Sequence, residues 1–315
     1  MPKKQLEQQL EALDTLRQAG PTPASSEALR KALGNRNNYY VGKAAKVAAD
    51  LVLTGLIPDL LTALGRFFTD PGKSDPQCWA KNAIVQALAD LGHADSASFL
   101  RGLRHVQMEP VWGGQSDTAG PLRARCALAL VQCRDLSDSV LLSHLIEVLT
   151  DQDKTVRVEA ARAIGRIDRP ESALLLRLRA LVGDPEPEVL GACFSALLAI
   201  EGERSITFVT RFLDDPDEAI MGEAALALGM THDDGAFKIL KDHWERRHAD
   251  VLLSAIALTN LPEALDFLID QVAADSLSAL EALASARITP EVRARIAAAV
   301  EATGNPRLRA AFEKS

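Results

Sequence analysis

Val156-Arg157-Val158-Glu159-Ala160-Ala161-Arg162-Ala163-Ile164-Gly165 decides the fold, because its pattern returns on both sides of it. Three copies follow a short run ending in Asp: Leu149-Thr150-Asp151, Leu181-Val182-Gly183-Asp184 and Phe212-Leu213-Asp214-Asp215-Pro216. With the small central residue of each copy as marker, the series reads Ala45, Ala83, Cys126, Ala160, Cys193, Ala224 and Ala255. The spacings are 38, 43, 34, 33, 31 and 31. Self-similarity at such a period is the signature of a helical solenoid.

Four residues before each marker stands an apolar residue: Val41, Trp79, Leu122, Val156, Val189, Ile220 and Val251. Small or apolar residues recur three and four positions after it, as in Ala163 and Ile164. Offsets of −4, 0, +3 and +4 fall on one face of an α-helix. Small residues there let helices approach, and the bulky −4 residue is expected to fill the space between layers. A second amphipathic stretch precedes each copy, for example 143–149 and 206–213. The Asp between the two, in Asp184-Pro185 and Asp215-Pro216, is expected to end one helix and cap the next.

The signature over 149–165 resembles the HEAT repeat, especially its short bacterial, armadillo-like form. The resemblance runs from about residue 22 onward and is strongest over 137–230. It implies an all-α α-solenoid of about nine antiparallel helix pairs, first helices convex and second helices concave. Residues 1–21, with Leu6, Leu10, Leu13 and Leu16 at helical spacing, read as an N-terminal capping helix. Residues 22–315 then form one elongated repeat domain, with the last two pairs as its C-terminal cap.

The composition suits packed Ala/Leu helices: 47% hydrophobic, only 4% aromatic and 25% charged. No apolar leader opens the chain, and Leu51–Leu64, the most apolar stretch, is too short to span a bilayer and is broken by Pro58. A cytoplasmic protein is expected by default. Of the four cysteines, Cys126 and Cys193 occupy small-residue slots, and no Cys-x-x-Cys pair points to zinc.

Two segments break the regularity. Residues 106–118, between the two helices of the third pair, form a long loop where other pairs need a short turn. Trp112, Glu109 and Asp117 in it are candidate binding residues. Asn35-Arg36-Asn37-Asn38-Tyr39-Tyr40 brings both tyrosines of the chain to the start of a second helix, so Tyr39 and Tyr40 are candidate contacts. Charge is also uneven: residues 1–169 carry a balance of +2 and residues 170–315 one of −10. Lys43, Lys46, Lys81, Arg123, Arg125, Arg157, Arg162 and Arg166 fall on second helices, where they would make a basic stripe or pair between repeats.

Enzymes built on similar scaffolds leave residue-level marks. The iron-dependent hydroxylases of this class carry His-Glu pairs, and none of the six His here is followed by Glu. The HEAT-like DNA glycosylases need a basic surface, against which a sequence pI near 5.4 argues. No motif selects the bilin lyases, and no phosphate loop or nucleophile elbow is present. The expectation is therefore a non-catalytic protein- or peptide-binding scaffold, with no cofactor and no metal. It would use the concave face and the 106–118 loop. Trp112 would anchor, and Arg123, Arg125 and Arg157 would steer an acidic partner. The alternative is an enzyme-associated HEAT-like protein, lyase-like or acting on nucleic acid.

Overall fold

The computed structural model describes residues 3–314. The chain folds as two compact units, Met1–Ile167 and Asp168–Ser315. The first unit opens with α1 (Lys3–Ala19), followed by the pair α2 (Pro23–Leu33) and α3 (Asn38–Asp50). The second pair is α4 (Ile57–Phe67) and, after the one-turn α5 (Pro71–Ser74), α6 (Trp79–Asp90). Then come α7 (Ser96–Leu103) with α8 (Gly120–Leu130), and α9 (Asp138–Leu149) with α10 (Lys154–Gly165). The second unit holds α11 (Pro170–Val182) with α12 (Pro187–Glu201), α13 (Glu203–Thr210) with α14 (Glu218–Gly229), and α15 (Asp234–Arg247) with α16 (Asp250–Leu258). It closes with α17 (Pro262–Ala273) and α18 (Leu277–Leu283), then α19 (Pro290–Thr303) and α20 (Pro306–Lys314). Among the described residues this is an all-α solenoid of nine helix pairs behind a leading helix, as the repeat pattern implied.

Within each unit the second helices pack on one another: α3 on α6, α6 on α8 and α8 on α10, then α12 on α14, α14 on α16 and α16 on α18. The small-residue slots allow this. A Cβ at Gly229 would collide with the carbonyl oxygen of Ala255, so α14 and α16 meet nearly backbone to backbone.

The repeat register differs from the sequence expectation in the first two pairs. The fully buried central positions are Ala44, Ile84, Cys126, Ala160, Cys193, Ala224 and Ala255, each 0% exposed. Ala45 is as fully buried as Ala44, but the helix cap seven residues ahead, Asn37 here as Asp153 before Ala160 and Asp217 before Ala224, makes Ala44 the equivalent position, and Ile84 replaces the half-buried Ala83. The −4 slot of the second pair is therefore Ala80, buried, and not Trp79, which is 54% exposed. Two adjacent columns of a helix both recur at i+4, so α6 alone does not say which column faces the core.

The corrected register also changes the role of the Asp before each second helix. Nine positions ahead of the markers stand Asn35, Asp75, Asp117, Asp151, Asp184 and Asp215. Five of these side chains accept the backbone N–H two residues on: Asn37 at 2.8 Å, Ala119 at 3.0 Å, and Asp153, Glu186 and Asp217 at 2.9 Å each. This is the local turn that short polar side chains stabilise. Capping falls instead to the residue at its end, as where Asp153 accepts from Thr155 N and Asp217 from Ala219 N.

Residues 106–118 are not an irregular loop. They hold an antiparallel hairpin, β1 (Met108–Val111) and β2 (Gly114–Asp117), with Met108 opposite Asp117 and Val111 opposite Gly114. Trp112 and Gly113 make the two-residue turn. Gly113 takes φ +88°, a conformation that side chains other than glycine's rarely adopt.

Candidate functional site

Within the first unit, the exposed columns of the second helices line up in rungs. Five positions before the markers stand Tyr39, Trp79 and Pro121; one before, Lys43, Ala83 and Arg125; two after, Lys46, Gln86 and Leu128; six after, Asp50, Asp90 and Gln132. Between α3 and α6 these rungs enclose a groove of about 580 Å³, with Arg125 and Pro121 at its α8 side. Small residues make its floor: an added Cβ on Gly42 would stand 3.2 Å from the Ala83 Cβ. Lys43 and Lys46 form one wall, and Asn82 and Gln86 the other.

The aromatic end of the groove is preorganised. The Tyr39 and Trp79 rings meet edge to face at 5.8 Å between centroids, and the Lys43 ammonium lies 5.3 Å from the Tyr39 ring centre. The Trp79 indole N–H donates to Gln77 Oε1 at 3.1 Å. The charges are not balanced internally. Among the described residues, no carboxylate lies within ion-pair distance of Lys43, Lys46 or Arg125, and Arg125 donates only to Gln86 Oε1, at 2.6 Å. The two acids have partners already: Asp50 faces Arg17 at 4.0 Å, and Asp90 accepts from Gln86 at 2.8 Å. In the second unit, a depression of about 430 Å³ around Leu198, Ile206 and Met230 has no Lys or Arg in its lining.

Tyr39 and Arg125 are therefore in the groove. Tyr40 is not: its side chain is 9% exposed and belongs to the core, where burial pushes its hydroxyl pKa up. Asn37 caps α3 by accepting Tyr40 N at 2.8 Å.

Arg123 and Arg157, read from sequence as steering charges, are buried, as is Lys81. All three sit three positions before the markers and fasten loops. Arg123 donates to Asp117 Oδ2 at 2.6 Å, to both Asp151 oxygens at 2.7 and 2.9 Å, and to His105 O at 2.9 Å. It thereby ties its own turn to that of the next repeat. Burial opposes its charge, but the Asp151 and Asp117 hydrogen bonds outweigh burial and raise its pKa. Arg157 donates to Asp151 O and Gln152 O at 2.8 and 3.0 Å. Lys81 pairs with Asp75 at 3.0 Å, both side chains being 0% exposed. The basic stripe thus divides into buried fasteners and the exposed Lys43, Lys46, Arg125, Arg162 and Arg166. Position −3 lies one step round the helix from −4 and faces the turns, where backbone carbonyls and the Asp series accept hydrogen bonds.

The hairpin residues separate in the same way. Trp112, at the tip, is fully exposed. Glu109 lies at the root and accepts from Gln77 N at 2.7 Å and Thr118 Oγ1 at 2.9 Å, and also from Gln107. Burial would raise its pKa, yet the bonds from Gln107, Gln77 and Thr118 hold it below the usual carboxylate range. Asp117 accepts from Gln107 N, Ala119 N and Arg123, which lower its pKa against the opposing effect of burial. Glu109 and Asp117 are thus occupied with holding the hairpin to the groove's rim. Gln77 belongs to both, lining the groove and donating its N–H to Glu109.

Sequence reasoning missed Trp79 as a surface residue. Asp75 was the available signal: nine positions before Ile84, it fixes the register that leaves Trp79 outside. Among the described residues, no group of three or more His, Cys, Asp or Glu side chains could hold a metal ion, and no helix is long and apolar enough to cross a membrane.

The model of the HEAT-repeat family matches twice, over residues 142–219 and 177–259. No curated protein matches the chain. Among solved structures, a crystal structure of an engineered protein is similar at 18% identity and a TM-score of 0.37, over 98% of this chain and 90% of that one. Residues 142–259 match the HEAT-repeat model, and the described residues that carry this match fold as an all-α solenoid.

Proposed function

We propose that the protein is a non-catalytic scaffold that binds a segment of a partner protein in the groove between α3 and α6. One observation carries this: Trp79 stays half-exposed beside Tyr39, in a groove of about 580 Å³ whose cations have no carboxylate partners among the described residues. Exposed aromatic side chains in a concavity, already positioned by neighbours, are what protein interfaces use as anchors. HEAT repeats are generally protein-interaction modules, which supports the same reading. Arg125, with Lys43 and Lys46, replaces Arg123 and Arg157 as the charge that attracts an acidic partner. Trp112, on the hairpin at the rim, offers a second apolar contact to a partner longer than the groove. The cytoplasm is the setting we propose, since all four cysteines are unpaired.

The test is selection of a displayed random-peptide library on the wild-type protein, with each enriched clone re-measured on Trp79→Ala and on Trp112→Ala. Clones should be enriched that lose at least about tenfold in affinity on Trp79→Ala, the loss typical of an anchor residue. No enrichment, or enriched clones that bind both variants as well as wild type, would overturn the assignment.

A further inference from the structure

The rungs of the groove carry a definite chemical order. Along α3 and α6, from the helix N-termini, they run aromatic (Tyr39, Trp79), cationic (Lys43), cationic (Lys46, with the Arg125 guanidinium at Gln86 of the same rung) and acidic (Asp50, Asp90). With Gly42 and Ala83 in its lining, the groove of about 580 Å³ has room for a chain lying lengthwise between the walls.

At a rise of about 1.5 Å per residue, the rungs stand about 6, 4.5 and 6 Å apart, or about 16.5 Å from first to last. An extended peptide presents a side chain to the same face about every 6.6 Å, so residues i, i+2, i+4 and i+6 meet four successive rungs. The small accumulated mismatch falls on Lys and Arg stems, which are flexible.

Building on the proposed peptide-binding role of this groove, we infer that its ligand is an extended segment of the pattern aromatic-x-acid-x-acid-x-base. The aromatic side chain packs against Tyr39, Trp79 and Pro121. The first carboxylate meets Lys43, and the second meets Lys46 and Arg125, whose guanidinium lies at Gln86 of the same rung. The base meets Asp50 and Asp90, which limit the acidic run to two residues.

The same acids disfavour a nucleic-acid strand. Its phosphates recur with one sign at every step, so one of them would face Asp50 and Asp90, and the chain as a whole carries a net charge of −8.

The probe is the fluorescein-labelled peptide Gly-Phe-Ser-Glu-Ser-Glu-Ser-Lys-Gly. Its comparisons are the charge-swapped Gly-Phe-Ser-Lys-Ser-Lys-Ser-Glu-Gly and a labelled twelve-nucleotide oligothymidylate. Fluorescence anisotropy is read at low salt. The first peptide should bind at least about tenfold more tightly than the swapped one, because several charge contacts change sign together. The preference should shrink with added salt. The double variant Lys46→Glu, Arg125→Glu should reverse it. Both residues are exposed and lack ion-pair partners among the described residues, so the variant keeps its fold, checked by circular dichroism. Equal binding of the two peptides, binding of neither, or tighter binding of the oligothymidylate overturns the inference. The library selection above would still judge the peptide-binding role: enriched clones that need Trp79 but lack the acidic pattern would leave that role standing and remove this one.

Discussion

Lys81→Met tests the claim that a lysine read from sequence as surface charge is a buried fastener. The Lys81 ammonium lies 3.0 Å from Asp75 Oδ2 and donates to Phe67 O at 3.2 Å, and neither charged side chain is exposed to solvent. Asp75 also accepts Ala80 N at 2.8 Å, Lys81 N at 3.0 Å and Asn38 Nδ2 at 2.9 Å. Methionine keeps the aliphatic bulk and removes the charge. The Asp75 carboxylate is then left buried without a counter-charge, a change that costs about 3–5 kcal/mol. Three remaining hydrogen bonds offset part of this, which puts the expected loss at the low end, about 3 kcal/mol. For a cooperative unit of this size that lowers Tm by about 6–12 °C. Asp75→Asn should cost a similar amount, because Lys81 keeps only Phe67 O. The double variant removes both charges and should be less destabilised than the sum of the singles by at least about 1.5 kcal/mol. Guanidinium unfolding followed by circular dichroism gives the energies, and hydrogen exchange of the α6 amides locates them. A single-variant loss under about 1 kcal/mol, within the range of an exposed pair, or additive singles, would refute the buried-pair account.

Gly229→Ala should destabilise the second unit by at least about 1–3 kcal/mol, since the new methyl has only the Ala255 carbonyl to displace; a thermal melt unchanged from wild type would contradict the close α14–α16 approach. Asp117 and Glu109 both have lowered pKa values in the folded state. Their contribution is therefore fully present above the unfolded carboxylate values near about 4 and is lost as pH falls through the lower folded values. The protection factors of the Gln77 and Gln107 amides, taken against the intrinsic exchange rate at each pH, should fall in acid below that range, and less so in Glu109→Gln. All four thiols are buried, and burial pushes Cys78 and Cys133 up to about 11, so none should react with iodoacetamide at pH 8 until the protein unfolds.

The identity of α6 as a helix was legible from sequence; its orientation was not. Trp79-Ala83-Ala87 and Ala80-Ile84-Leu88 are neighbouring columns with the same spacing, and the bulk of Trp79 made the wrong column look like the core. The error hid the groove's main aromatic residue. Tyr39 and Arg125 were found because an unusual tyrosine pair and a charge on a second helix are visible locally. Arg123 and Arg157 were visible for the same reason, but a guanidinium three positions before the marker looks alike whether it meets solvent or an Asp of the next turn. The hairpin was legible only as an excess of residues. Its strands are four residues each, one of them carrying a proline, and their pairing is fixed by bonds from Glu109 and Gln107 to residues about thirty positions earlier.

By itself, the sequence determined the helical period, the pairing of helices and the places where the repeat is interrupted, because hydrophobic spacing and turn residues act over a few positions. Tertiary structure alone decided which column of each helix faces inward, which cations are spent on Asp and carbonyl partners, and which remain free to meet a ligand. Those outcomes depend on what the neighbouring repeat places opposite each side chain, and the local pattern carries no record of it.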